Sequence, residues 1–259
     1  MSYIGLTGNP RQDKLLSLVM SNGYISNEEL STTLGVTTQT IRRDIRTLSQ
    51  QGLISRHHGG AGRISSIVNT EFSIRETSHI KEKTSIANRI ADYIPDGSTL
   101  FITIGTTVEF IAKALENKNN LRIITNSHRV ANILYQNKNF EVITVGGILR
   151  SHNGGIIGPD VIAFINNFRA DYLITSVGAI TTDGVLLDFD INEVAVVKAM
   201  LEHSRTKIIA IDSTKFHTSA AVELGHLSQT SAIFTNEKPP QTILKIIKDN
   251  KIELYLTDN

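Results

Sequence analysis

The chain contains no cysteine, which excludes a disulfide framework and any thiolate metal site. It has no long apolar run either. The stretches around Ile102 and Ile174 have the length of strands and fall far short of the roughly 20 residues that span a membrane. Residues 1–10 lack the basic start and apolar centre of a secretory leader, so the expected location is the cytoplasm, with no membrane partner. The nucleotide-binding patterns GxxxxGK[ST] and GxGxxG are missing. His203, His217 and His226 lack ligand spacing, so neither a metal nor a cofactor is expected. Repeats and low-complexity tracts are absent as well. What remains is ordinary globular composition over 259 residues, 40% hydrophobic and 20% charged, enough for one small and one medium domain.

The net charge of +1 conceals an uneven distribution. The first 63 residues carry seven Lys/Arg against four Asp/Glu, and the remainder nineteen against twenty-one. A weakly basic head on a weakly acidic body fits local attraction to nucleic acid. Within the head, Leu15, Leu16, Leu18 and Val19 follow a helical pattern that Asn22-Gly23 ends. Ser26-Asn27-Glu28-Glu29 has the form of a capping box, opening a short helix with Leu30 and Leu34. Gly35-Val36 makes a tight turn into Thr37, a second cap. Ile41, Ile45 and Leu48 then mark one face of a helix, with Gln39, Arg43 and Arg46 on the opposite side. Gly52 suits the left-handed position that closes a helix. Residues 53–58 predict a short strand with a basic tip before two glycines turn the chain.

Helix, capped short helix, glycine turn, polar helix and basic hairpin together predict a winged helix-turn-helix. From residue 40 to 63, Arg42, Arg43, Arg46, Arg56 and Arg63 face Asp44 alone. The candidate DNA contacts are Thr37, Thr38, Gln39, Thr40, Arg42, Arg43, Arg46, Arg56, His57 and His58. Gln39 and Arg43 are placed for base edges, the others mainly for phosphates. A capped surface helix with solvated charges is the simpler reading of the Arg-Arg pair alone; the preceding helices outweigh it.

At these residues the chain resembles a known family. Thr40-Ile41-Arg42-Arg43-Asp44, followed by Arg56-His57-His58-Gly59-Gly60-Ala61, looks like the signature of DeoR-type bacterial repressors, and the resemblance extends over almost the whole chain. It implies operator DNA as a partner and a sensor for a phosphorylated metabolite.

The body alternates strand and helix. Strands are predicted at residues 99–104, 122–125, 142–145, 172–177, 207–211, 232–235 and 253–256. Helices are predicted at 78–94, 108–116, 130–135, 159–167, 193–204 and 242–249. Such alternation predicts an α/β domain with a mainly parallel sheet covered on both faces. The domain scheme is a winged helix-turn-helix at 1–60, a linker at 61–77 and an effector-sensing, oligomerising domain at 78–259.

Ligands of an open parallel sheet bind beyond the carboxyl ends of its strands. Five predicted strand ends carry Gly105-Thr106-Thr107, Thr125-Asn126-Ser127, Gly146-Gly147, Gly178 and the segment from Asp212 to Lys215. Glycine admits backbone N–H groups, hydroxyls donate, a helix N-terminus favours an anion, and Lys215 adds a charge. Such groups suit a phosphorylated polyol, although small polar residues are also what such turns commonly contain. The family resemblance implies a domain like ribose-5-phosphate isomerases and CoA transferases, and adds Glu193 to the pocket. Two positions depart from the family pattern. Thr103 stands where relatives usually have an acid, and Val197-Lys198 where they often have Lys-Arg; both bear on effector choice. Asp188-Phe189-Asp190 reads as a solvated or structural loop, so no catalytic residue is expected.

The reading is a ligand-responsive repressor acting as a homodimer or homotetramer. The alternatives are a sugar-phosphate isomerase with an accessory DNA-binding head, or an activator built from the same parts. Residues 65–70, Leu149-Arg150-Ser151 with Gly154 to Gly158, and Leu186 to Asp190 resemble the glycerol-3-phosphate regulon repressors. That resemblance implies sn-glycerol 3-phosphate as effector.

Overall fold

A computed structural model describes residues 7–57, 59–62 and 72–257. His58, Arg63 and residues 65–70, each the subject of a sequence expectation, lie outside them. The chain divides into two compact units, Met1–Thr70 and Glu71–Asn259.

The first unit runs α1 (Pro10–Asn22), β1 (Tyr24–Ser26), α2 (Asn27–Leu34), α3 (Thr38–Gln50), β2 (Ser55–His57) and β3 (Gly60–Gly62). Its helix starts and stops lie where the sequence places them. The Ser26 Oγ accepts from Glu29 N at 3.1 Å, and the Glu29 carboxylate accepts from Ser26 N at 3.1 Å. Thr37 caps α3 through Thr40 N. Gly52 closes it at φ 71°, with Leu53 N donating back to Leu48 O at 2.9 Å. Leu15, Leu16, Val19, Leu30, Ile41, Ile45 and Leu48 form one core with Leu53, Ile54 and Ala61. Each such side chain contributes about 1.5–3 kcal/mol by leaving water.

Asp44, which the sequence suggested only as the lone acid among arginines, joins α3 to α1. It is 3% exposed and accepts from Arg11 Nε at 2.6 Å and Gln12 Nε2 at 3.0 Å. Burial pushes its carboxyl up, but the Arg11 and Gln12 hydrogen bonds outweigh this and hold it below the ordinary carboxylate value.

Two stretches assigned by sequence to the 61–77 linker are regular elements. Gly60–Gly62 is the middle strand of a three-stranded sheet, order β1-β3-β2. A Cβ on Gly60 would meet Ile25 O at 2.4 Å, and one on Gly62 would meet His57 Nε2 at 2.8 Å. Backbone approach thus requires glycine at 60, whereas at 62 the exposed His57 ring would have to move aside. Phe72–Thr77 is a helix, α4, in the second unit.

The second unit continues α5 (Ile80–Tyr93), β4 (Thr99–Ile102), α6 (Thr106–Ala114), β5 (Arg122–Thr125), α7 (His128–Leu134) and β6 (Glu141–Thr144). Then come β7 (Ile148–Leu149), β8 (Ile156–Ile157), α8 (Pro159–Ile165), β9 (Ala170–Thr175), β10 (Ala179–Ile180) and β11 (Val185–Asp188). The unit ends with α9 (Ile191–Glu202), β12 (Ser204–Ala210), β13 (Val222–His226), β14 (Ala232–Thr235), α10 (Gln241–Asp249) and β15 (Glu253–Leu256). Seven strands form one sheet, order β15-β14-β12-β9-β4-β5-β6, in which every pairing is parallel.

Alternate strand residues face opposite cores, as the period of two requires. Leu100 and Ile102 pack with α5, α6 and α7, while Phe101 packs with α8, α9 and α10. The result is an α/β unit with helices on both faces. Beside it, β10, β11 and β13 form a small antiparallel sheet, and β7 and β8 a hairpin. None of the described helices is long and apolar enough to cross a membrane.

The Asp44 pair yields a test. Arg11→Ala leaves a buried carboxylate short of a partner and is expected to cost about 1–3 kcal/mol at neutral pH. Hydrogen exchange of the α3 amides in the full chain should report it. Because Asp44 has a depressed folded pKa, its stabilisation is present above its unfolded pKa and disappears as pH falls through the folded one. The difference between wild type and variant should therefore shrink on acidification. A pH-independent difference would contradict the assignment.

Candidate functional site

The head presents polar and cationic side chains along one side of α3. Gln39, Arg42, Arg43 and Arg46 are exposed, while Ile41, Asp44, Ile45 and Leu48 are buried. Thr37 is exposed and Thr38 and Thr40 are half-buried; the Thr37 and Thr40 hydroxyls lie 3.0 Å apart at the cap. Arg56 and His57 are exposed on β2. The His57 ring stands edge-on to Tyr24, with centroids 5.8 Å apart. An exposed cationic helix with a basic β-hairpin beside it has the form that enters a major groove while holding flanking phosphates.

In the second unit the parallel pairing puts the carboxyl ends of β12, β9, β4, β5 and β6 side by side. All five loops singled out in the sequence leave from that edge, but their residues have different roles. Gly105 precedes α6 at φ 142°, a conformation that disfavours any side chain. No side chain caps α6 there, so its first N–H groups lack a side-chain acceptor; Thr106 and Thr107 beside them are buried.

The β5 loop is more committed. Thr125 Oγ1 donates to Ile102 O at 2.6 Å and accepts from Ser127 N at 3.0 Å. Ser127 Oγ accepts from Val130 N at 3.1 Å and caps α7. Asn126 is fully buried; its Nδ2 donates to Ile156 O at 3.3 Å, and its Oδ1 has no partner among the described residues.

Packing accounts for two of the expected glycines. A Cβ on Gly147 would meet Ile157 O and Val161, both at 2.8 Å. One on Gly178 would meet the Phe189 ring at 2.7 Å. Gly178 N donates to Leu187 O at 2.9 Å, and Gly178 O accepts from Thr218 at 2.8 Å. The expectation that Gly178 offers its N–H to a ligand is corrected accordingly. Gly146 is exposed at the end of β6, with open space where a Cβ would lie.

The charged residues of the edge are coupled. Asp212 is 3% exposed and accepts from Thr214 N at 3.1 Å, opening a short 3-10 turn that carries Lys215. Burial pushes its carboxyl up, yet Lys215, the Thr214 hydrogen bond, His79 and Lys83 keep it below the ordinary value. Glu193, in the first turn of α9, accepts from Asn153 Nδ2 at 2.8 Å and lies 3.5 Å from Arg150 Nε. The same Asn153 binds Gly155 N, and Gly155 bridges to Ser127, so Glu193 is tied to the β5 loop.

The structure divides the loop that the sequence treated as solvated or structural. Asp190 caps α9 through Asn192 N and Glu193 N. Asp188 is different: burial pushes its carboxyl up to about 6, with nearby Glu193 adding to the shift.

Sequence reasoning missed Lys83 and Arg75. Lys83 is 3% exposed on α5, and burial pushes its amine down to about 8 while Asp212 pulls it up. A signal was present, since Lys83 continues the apolar stripe Ile86, Ala87, Ile90 at helical spacing. Arg75 fell within the supposed linker.

The DeoR C terminal sensor domain matches residues 78–237, and the DeoR-like helix-turn-helix domain matches residues 11–67. The chain belongs to the DeoR family. It is 59% identical to the HTH-type transcriptional repressor CsqR of Escherichia coli (strain K12) over 99% of this chain and 98% of that one. It is 45% identical to the glycerol-3-phosphate regulon repressor of the same strain, over 95% and 98%. The family and these relatives make it a DNA-binding transcriptional repressor with a sensor domain. Among solved structures it is similar to ribose 5 phosphate isomerase A from Neisseria gonorrhoeae, at 13% identity, TM-score 0.39, covering 52% of this chain and 53% of that one.

Both departures from the DeoR pattern have clear surroundings. Thr103 is 1% exposed, and its hydroxyl donates to Thr175 Oγ1 at 2.9 Å, satisfying the site between β4 and β9 without a charge. Val197 is buried in the core that α9 forms against the sheet, while Lys198 is exposed.

The edge hydroxyls separate into two kinds by experiment. Thr125→Val strands Ile102 O and Ser127 N and should lower sensor stability by about 1–3 kcal/mol. Thr106, also buried, makes no side-chain hydrogen bond among the described residues, so Thr106→Val should cost less than Thr125→Val. Urea unfolding followed by α6 and β5 probes checks both, and equal shifts would contradict the division.

Proposed function

We propose that this DeoR-family repressor holds operator DNA through α3 and its wing and leaves it when a small anionic polyol binds the carboxyl edge of the parallel sheet. In this reading Gln39 and Arg43 meet base edges, while Thr37, Thr38, Thr40, Arg42, Arg46, Arg56, His57 and His58 hold the backbone. The effector lies against Gly105–Thr107, Asn126, Gly146, Glu193, Asp212 and Lys215. The observation that carries the effector reading is the edge itself. An uncapped helix N-terminus after β4, Lys215 after β12 and carboxylates able to accept polyol hydroxyls lie around one edge of the sheet.

Among phosphorylated polyols we place sn-glycerol 3-phosphate first, on the relative named for it. The chain shares more with CsqR, whose name carries no effector. The functional assembly is a dimer or tetramer, because one winged domain reads only a short half-site and specific affinity normally requires two.

A second reading, a sugar-phosphate isomerase, draws on Asp188, whose carboxyl is pushed up to about 6, and Lys83, whose amine is pushed down to about 8, each of them coupled to Lys215 and Arg75. Groups poised on either side of neutrality suit proton transfer. Turnover of aldose and ketose phosphates would favour it; saturable binding without turnover favours the regulator.

Fragments selected from the source genome by the full chain should contain discrete repeated sites. Arg43→Ala should weaken binding to them by about 1–3 kcal/mol and relax sequence preference. Arg56→Ala should weaken all sequences alike and flatten the salt dependence. Unchanged operator affinity in folded Arg43→Ala would remove the recognition role from α3. Titrating the complex with glycerol 3-phosphate, fructose 1-phosphate, ribose 5-phosphate and inorganic phosphate tests the effector. Release by a sugar phosphate with glycerol 3-phosphate inert would sink that choice alone.

A further inference from the structure

The second unit begins with α4, a six-residue helix fastened to the effector edge at three places. Phe72 is buried beneath two guanidinium groups, with Arg75 5.2 Å and Arg129 4.7 Å from its ring centre. Arg129, on α7, pairs with Glu76 of α4 and donates to Glu109 of α6 at 2.8 Å. Lys83 donates to Ser78 O at 2.8 Å and to Arg75 O, holding the end of α4 from α5. The helix also packs on α6, whose N-terminus has no side-chain cap.

The Arg75 guanidinium, over the Phe72 ring, also interacts electrostatically with Asp188 at the end of β11, Glu193 on α9, Glu109 on α6 and Asp212 after β12. These four acids sit on four elements around the strand-end edge. Burial lowers the guanidinium's affinity for a proton and these carboxylates oppose that shift.

We propose that Arg75 is an anion-binding residue of the effector site, and that α4 is the part of the pocket that closes on the ligand's charged group. This rests on the anionic-polyol reading above. The chemistry divides the site's work. A planar guanidinium presents paired N–H donors that match a phosphate, which an ammonium does not. Asp188, Glu193 and Asp212 then remain to accept hydroxyls from the polyol. Binding exchanges Arg75's attraction to these acids for a contact to the ligand.

Isothermal titration of the full chain with glycerol 3-phosphate and with inorganic phosphate tests this, comparing wild type, Arg75→Gln, Arg75→Lys and Lys215→Met. The Lys83 bond to residue 75 is to its backbone, so it survives either Arg75 substitution. Arg75→Gln should weaken both probes at least tenfold and by similar factors, with Arg75→Lys recovering part of the loss. Hydrogen exchange should show α4 amides protected by ligand in wild type and not in Arg75→Gln. Near-wild-type affinity in Arg75→Gln, with binding lost in Lys215→Met, would leave the pocket standing and overturn the role of Arg75. Should Arg75→Gln fail to fold, ligand without any protection of α4 in wild type overturns it equally. Wild type that binds neither probe removes the phosphate reading itself, and this inference with it.

Discussion

Parallel pairing of all seven strands sends every carboxyl end of the main sheet to one edge, and much of the sensor unit follows from it. Parallel strands buried on both faces carry polar groups mainly toward their ends, and the carboxyl-end loops gather many of the hydroxyls and charges of this region. Some of these close the edge. Thr125, Ser127 and the Thr103–Thr175 pair satisfy backbone and side-chain groups that the last sheet residues leave open. Others, notably the N-terminus of α6 and Lys215, are the groups proposed above to meet a ligand. Charges brought together with so little water must balance, which is why Asp188, Glu193 and Asp212 occur among Arg75, Lys83 and Lys215.

The DNA-binding unit meets a different constraint. Its recognition helix has to expose several arginines and still pack onto two other helices. Asp44 reconciles the two demands by turning inward to Arg11 and Gln12 from within the arginine-rich stretch. Its charge is therefore spent on assembling the helices, and the exposed face of α3 is more cationic than a count of residues suggests. In the wing, Gly60 and Gly62 let β3 pass beneath Tyr24 and His57, so the glycines shape the element that carries Arg56.

Local patterns made much of this legible in the sequence. Caps at Ser26 and Thr37, the stop at Gly52 and the apolar spacing of Ile41, Ile45 and Leu48 are all signals within one turn of helix. The βα alternation is equally local, and it was enough to place the five loops on one edge. Elements that depend on distant partners were not legible. Strand β3 is mostly glycine and exists because β1 and β2 flank it, so its composition reads as a turn. The β10-β11-β13 sheet pairs residues 179–180, 185–188 and 222–226, with β13 joining from beyond α9 and β12. Gly178 carries the residue type of a ligand loop, and only the Phe189 ring above it reveals a packing role. Lys83 lay on an apolar stripe, where a buried charge has meaning only once Asp212 is known to be near.

The central claim is that an anion at the sheet edge and DNA at α3 compete through one protein. Linkage requires that this competition be reciprocal. Calorimetric titration of the full chain with glycerol 3-phosphate, alone and saturated with its selected operator, measures it directly. The account predicts tenfold or weaker effector affinity in the operator complex, a coupling of about 1.4 kcal/mol or more, matched by the factor by which effector weakens operator binding. Measurable effector binding with the same affinity in both states would contradict it.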